Sequence, residues 1–173
     1  MDELPDIVKP GLSVLFCGIN PGLRSAELGQ HFARPGNRFW KTLHLSGFTD
    51  RLLAPAEQWS LLDYDLGVTN LVARSSAAAS DLSRQELEDG ATELVKKVEA
   101  LQPRWIAFVA MQAYRTAFAR PKAGVGRQAE KIGTTGIWLL PNPSGLQAHY
   151  QLPEMVRLYA ELRQAAGPAG ASR

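Results

Sequence analysis

Cysteine is almost absent: Cys17 stands alone among 173 residues. One thiol closes no internal disulfide and builds no multi-cysteine metal or iron–sulfur site. That scarcity points to the cytoplasm, and Cys17 reads as a small buried hydrophobe. Long apolar runs are missing as well. None approaches the roughly 20 residues a membrane-spanning helix needs, so no membrane partner is expected. The start, MDELPDIVKPG, has no basic stretch followed by an apolar one, and no secretory leader is expected. A charge excess is lacking too. The 19 basic and 17 acidic side chains leave a net +2, so a polyanionic partner must be argued from where charges sit. His31, His44 and His149 have no metal-ligand spacing, and neither a metal nor a cofactor is expected.

What is present is an ordinary apolar fraction of 45% in a chain long enough for one core. Short β-rich runs alternate with helical patterns. Strands are predicted over Leu12–Cys17, Gly67–Val72, Arg104–Ala110 and Ile137–Leu140. Helices are predicted over Asn37–Leu45, after Pro55, from Ser83 to Leu101, over Met111–Ala119 and over Leu152–Ala166. Ser83 and Glu86 have capping-box spacing, and Gly167-Pro168 is a stop signal. The expected architecture is α/β: a three-layer α/β/α sandwich around a small, mainly parallel sheet of four strands. One domain is expected over residues 1–166, with a disordered tail over 167–173. GVGRQA at 124–129 has dinucleotide-fingerprint spacing, but no strand precedes it and no helix follows, so it reads as loop. The serines at 75, 76 and 80 also read as loop, and Trp59 and Trp105 as core.

Two strands end alike, in Asn20-Pro21-Gly22 and in Asn142-Pro143-Ser144-Gly145. Proline holds the residue before it in an extended conformation, so each amide is held stiffly. Gly22 and Gly145 leave bare backbone that something flat can approach. In parallel sheets ligands bind beyond the carboxyl ends of strands, where both turns fall. A carboxamide can orient a water or read a polar ring edge, but it cannot take a proton as a base. A pair of ordinary turns is the competing reading.

GINPG at 18–22, HFARPGNRFW at 31–40, GVTNLV at 67–72 and LPNPSGL at 140–146 resemble, in order and spacing, the mismatch-specific uracil-DNA glycosylases, the branch that includes the thymine-DNA glycosylases. The resemblance spans about residues 11–162. It implies a uracil-DNA-glycosylase-like fold and a monofunctional hydrolase in DNA repair. Such an enzyme flips a damaged base out of duplex DNA, hydrolyses its N-glycosidic bond and leaves an abasic site. It implies Asn20 as the residue that positions the water and Phe32 as the aromatic stacked on the base. Ile19, Gly22, Ser25 and Asn142 would complete the base pocket. Asn70, Ser144, Gly145, Leu146, Gln147 and Arg38 would meet the DNA, Leu146 as a wedge in the gap left by the base. The implied partner is double-stranded DNA carrying G:U or a related mismatch, and the implied state is a monomer.

Ala148 stands where some relatives carry an arginine facing the orphaned guanine, and Asn70 where some carry a lysine. Asp65, just before the second strand, is outside the family pattern and is a candidate for the anion that Asn20 lacks. Arg24, Arg34, Arg38 and Lys41 against Glu27 make the first-motif side basic, which suits phosphate contact. A catalytically weak binder of damaged DNA and an enzyme of free nucleosides are the other readings.

Overall fold

The computed structural model describes residues 4–145 and 149–167. One sheet holds β1 (Val14–Gly18), β2 (Leu66–Asn70), β3 (Trp105–Phe108), β4 (Gly126–Ile132) and β5 (Thr135–Leu139), in the order β2-β1-β3-β5-β4. β1 pairs in parallel with β2 and β3, β3 with β5 also in parallel, and β4 runs antiparallel to β5. The helices are α1 (Leu23–Leu28), α2 (Phe39–Leu45), α3 (Arg84–Leu101), α4 (Met111–Ala117) and α5 (Leu152–Ala166), with 3₁₀ segments at Pro55–Tyr64 and Ala79–Asp81.

The expected three layers are there, and alternation along the central strands shows why. Val14 and Phe16 of β1 join a core with Phe39, Leu43 and Tyr159, on the face covered by α2 and α5. Leu15 and Cys17 join the opposite core with Leu94, Val98 and Tyr114, on the face of α3 and α4. β3 splits the same way, Trp105 and Ala107 to one side and Ile106 and Phe108 to the other. A strand buried on both faces reads as a continuous apolar run. Each large side chain so buried contributes about 1.5–3 kcal/mol.

The sheet has five strands where four are expected. The additional strand, β4, includes part of the segment read as loop. GRQAEKI alternates between half-buried and exposed positions, as an edge strand with one wet face does. It joins β5 through Gly133-Thr134, with Gly133 at φ 59° as a two-residue hairpin turn requires. Trp59, read as core, is 52% exposed. The capping box of α3 is formed: Glu86 N donates to Ser83 Oγ at 3.1 Å and Ser83 N to Glu86 Oε1 at 3.1 Å.

β2 and β3 flank β1, so the connections leaving β1 and β2 depart to opposite sides. That places the switch point of the sheet at the carboxyl ends of β1 and β3, where such folds open a crevice. Cys17 sits just beneath it, buried. Burial pushes its thiol pKa up and keeps it protonated.

Candidate functional site

A cleft of about 170 Å³ opens at that edge. Ile19, Asn20, Gly22, Ser25, Phe32, Asn70, Asn142 and Ser144 all line it. The ends of β1, β2 and β5, with α1 and the loop after it, therefore deliver the sequence-predicted residues to one place. His31, Arg34, Asn37, Ser76, Val109 and Leu4 line it as well.

The two amides are fixed in opposite senses. Asn20 Nδ2 lies 2.9 Å from Arg74 O and 2.8 Å from Ser76 Oγ. A carbonyl can only accept, so the nitrogen must face it and Oδ1 is the end left for the cleft. Ser76 Oγ donates onward to Ala78 O at 2.7 Å, which makes it an acceptor for Asn20. Asn142 is turned the other way. Ser144 N donates to its Oδ1 at 2.9 Å, so Nδ2 is left for the cleft. The site thus offers an acceptor at residue 20 and a donor at residue 142.

Phe32 has the backbone of a strained position, with φ at 52°. A bulky residue in the left-handed region costs on the order of 1–3 kcal/mol, and such residues gather at functional sites. Its ring stacks on Phe39, centroids 4.1 Å apart and planes 25° apart. Phe39 is core, so the platform is rigid from behind. Ser25, buried, accepts from Ala33 N at 3.0 Å and so steadies the Phe32 loop. A Cβ on Gly22 would meet no atom within 4 Å, so the bare backbone faces open space.

His31 braces the floor. Its N–H donates to Gln58 Oε1 at 2.8 Å, its carbonyl accepts from Trp40 Nε1 at 3.1 Å, and Nε2 sits 2.7 Å from Pro5 O. Since Pro5 O only accepts, Nε2 carries the proton. Burial, the largest influence, lowers the imidazole pKa from its ordinary 6.5. The native state therefore binds protons less readily than the unfolded chain. Stability should be full above about pH 6.5 and be lost as pH falls toward the lower native value. Denaturant midpoints across this range should fall with pH in the wild type and flatten in His31→Gln. An unchanged slope in that variant would contradict the assignment.

Two of the residues singled out in the sequence, Asp65 and Arg38, are absent from the cleft lining. Asp65 sits at the amino end of β2, and the strand carries the chain roughly 13 Å before it reaches Asn70 and the cleft. Asp65 has left-handed backbone (φ 59°) at the end of the 3₁₀ segment, and its carboxylate lies 3.1 Å from Lys9 Nζ. Aspartate tolerates that conformation, so a turn accounts for the residue. Among the described residues no carboxylate lines the cleft. Arg38, expected on DNA, turns inward: its guanidinium donates to Tyr150 O at 2.6 Å and Ser144 O at 2.9 Å. Its backbone N–H donates to Pro143 O at 2.9 Å. It holds the Asn142 loop.

Of the other basic residues near the first motif, Arg24 pairs with Glu27 at 3.3 Å and Arg34 is exposed at the cleft rim. Gly145 packs on the first-motif loop, where a Cβ would lie 2.6 Å from Gly36 O. Leu146, Gln147 and Ala148 lie outside the described residues, as does the tail from 168 on. Ser76 and Arg74 escaped the sequence reading because an Ala/Ser stretch carries no signal of which serine turns inward.

A solved structure matches the fold across 93% of this chain and 97% of its own, with TM-score 0.61 and 18% identity. It is a solution NMR structure from Methanosarcina acetivorans, provisionally assigned as a uracil DNA glycosylase. The profile of the Uracil DNA glycosylase superfamily matches residues 5–163. With nearly the whole chain matched, and with both Asn-Pro turns meeting at one cleft, the chain belongs to the uracil DNA glycosylase superfamily, which acts on DNA as a base-releasing hydrolase.

Proposed function

We propose that this protein removes uracil mispaired with guanine from double-stranded DNA, in the manner of the mismatch-specific and thymine-type branch. The observation that carries this is the pair of oppositely turned amides in one cleft, above a stacked aromatic platform. A pyrimidine flipped from the helix would lie on Phe32, where stacking contributes about 1–3 kcal/mol. Asn142 Nδ2 would donate to a ring carbonyl, favouring the form in which negative charge has built up there. The bond between C1′ and the base nitrogen breaks with its electron pair leaving on uracil, and the sugar becomes cationic. A water donating one hydrogen to Asn20 Oδ1 keeps an oxygen lone pair toward C1′. Its oxygen forms the new bond, its second proton passes to solvent, and the uracil anion is protonated from solvent.

Arg34 at the rim would meet a phosphate, and the exposed Gly145 backbone would face the opposite strand. A depression of about 730 Å³ shares Ile19 and Asn142 with the cleft and carries Gln112 and Arg115, enough room for the strand to run on. Single-turnover assays on uracil opposite guanine, uracil opposite adenine and single-stranded uracil test the reading. Fastest release opposite guanine, with strand breakage only after alkali, is expected. Equal rates in all three would remove the mismatch preference, and tight binding without release would favour a damage binder.

A further inference from the structure

The segment 4–7 lies outside every motif of the site, yet Leu4 is half-buried in the wall of the same cleft. Its placement is over-determined. Ile7 pairs antiparallel with Val68, N–H to carbonyl both ways at 2.9 and 3.0 Å. Asp6 accepts from Thr69 Oγ1 at 2.7 Å and from Lys97 Nζ at 2.5 Å. Pro5 O accepts from His31 Nε2 at 2.7 Å. The antiparallel register that sets Ile7 against Val68 carries Pro5 to the level of Asn70 and Leu4 just past the end of β2. The strap fits because residue 67 is glycine: a Cβ there would lie 2.4 Å from Ile7 O. Three consecutive residues tied to β2, α3 and His31 hold an apolar side chain at the cleft.

We propose that Leu4 is a specificity-determining residue: it forms the wall that limits how bulky a flipped base the cleft accepts. This rests on the base-pocket reading given above. Gly18, His31 and Asn70, which line the same cleft, are small or polar, and Phe32 supplies the stacking platform, so a branched apolar side chain at residue 4 acts on the room by its volume. Apolar volume discriminates by roughly tenfold or more for each methylene-sized change.

The test compares single-turnover release of uracil and of ethenocytosine, each opposite guanine, by the wild type, Leu4→Ala and Leu4→Trp. The expected result is an ethenocytosine-to-uracil rate ratio raised about tenfold in Leu4→Ala and lowered in Leu4→Trp, with melting temperatures close to wild type. The same ratio in all three folded proteins overturns the proposal. If the wild type releases neither base, the glycosylase reading fails by itself, and the wall is then judged by binding. With a duplex carrying pseudouridine, whose base is joined through carbon and cannot be hydrolysed, the Leu4 methyl resonances must shift on saturation. Unmoved methyls overturn the wall.

Discussion

Asn20→Ala is expected to slow base release by about two to three orders of magnitude while duplex binding stays near the wild-type level. The size follows from what is lost. Misplacing a reacting group by about 1 Å costs on the order of a hundredfold, and removing one preorganised polar partner costs a similar factor or more. Asn20 touches the reaction through Oδ1 alone, because its nitrogen is committed to Arg74 O and Ser76 Oγ. Those two bonds are worth about 1 kcal/mol each, so the variant should fold. Ser76→Ala separates aiming from contact: it keeps the amide but frees one of its two anchors, and should lose about tenfold. A matching prediction concerns pH. An amide does not titrate, and no carboxylate among the described residues lines the cleft. The single-turnover rate should therefore be nearly flat above neutrality. A rate that climbs with pH through the carboxylate range would mean an acid group had been missed.

Arg38→Ala is expected to damage stability and activity together. The guanidinium makes two charge-assisted hydrogen bonds to backbone carbonyls, at 2.6 and 2.9 Å, across more than 100 residues of chain. Bonds to charged groups contribute about 1.5–3 kcal/mol each, and removal leaves part-buried carbonyls without their donor. A loss of about 3 kcal/mol should lower Tm by roughly 6–12 °C in a domain of this size. Base release should fall as well, since Asn142 sits in the loop that Arg38 holds. Arg38→Lys should rescue little, because an ammonium cannot span two carbonyls as a planar fork does. Were Arg38 a phosphate contact instead, Tm would hold and the salt slope of DNA binding would drop by about one. Tm and salt titration on the same variant decide between the two.

Much of this was legible in the chain, for physical reasons. β1 and β3 are buried on both faces, and a run such as LSVLF permits little else. Both Asn-Pro turns line the cleft, in keeping with their place at the carboxyl ends of strands in a parallel sheet. What the chain conceals has causes of the same kind. β4 is an edge strand with a polar face, and GRQAEKI shows only alternation, without an apolar run. Asp65 stands at the amino end of β2, and proximity in sequence does not say which end of a strand faces the cleft. Arg38 reads as surface charge until the carbonyls that claim it are known. Leu4 was invisible because its position depends on a pairing across 61 residues, Ile7 with Val68, and on a glycine that looks like any other strand glycine.

The central claim is that a fixed carboxamide aims the attacking water. It is tested most directly by a crystal structure of the protein on a duplex with 2′-fluoro-deoxyuridine, which resists hydrolysis, opposite guanine. The expected result is the uracil ring on Phe32, its carbonyl at Asn142 Nδ2, and an ordered water between Asn20 Oδ1 and the sugar C1′. A flipped uracil with that water held by some other group, or none reaching C1′ from residue 20, would contradict it.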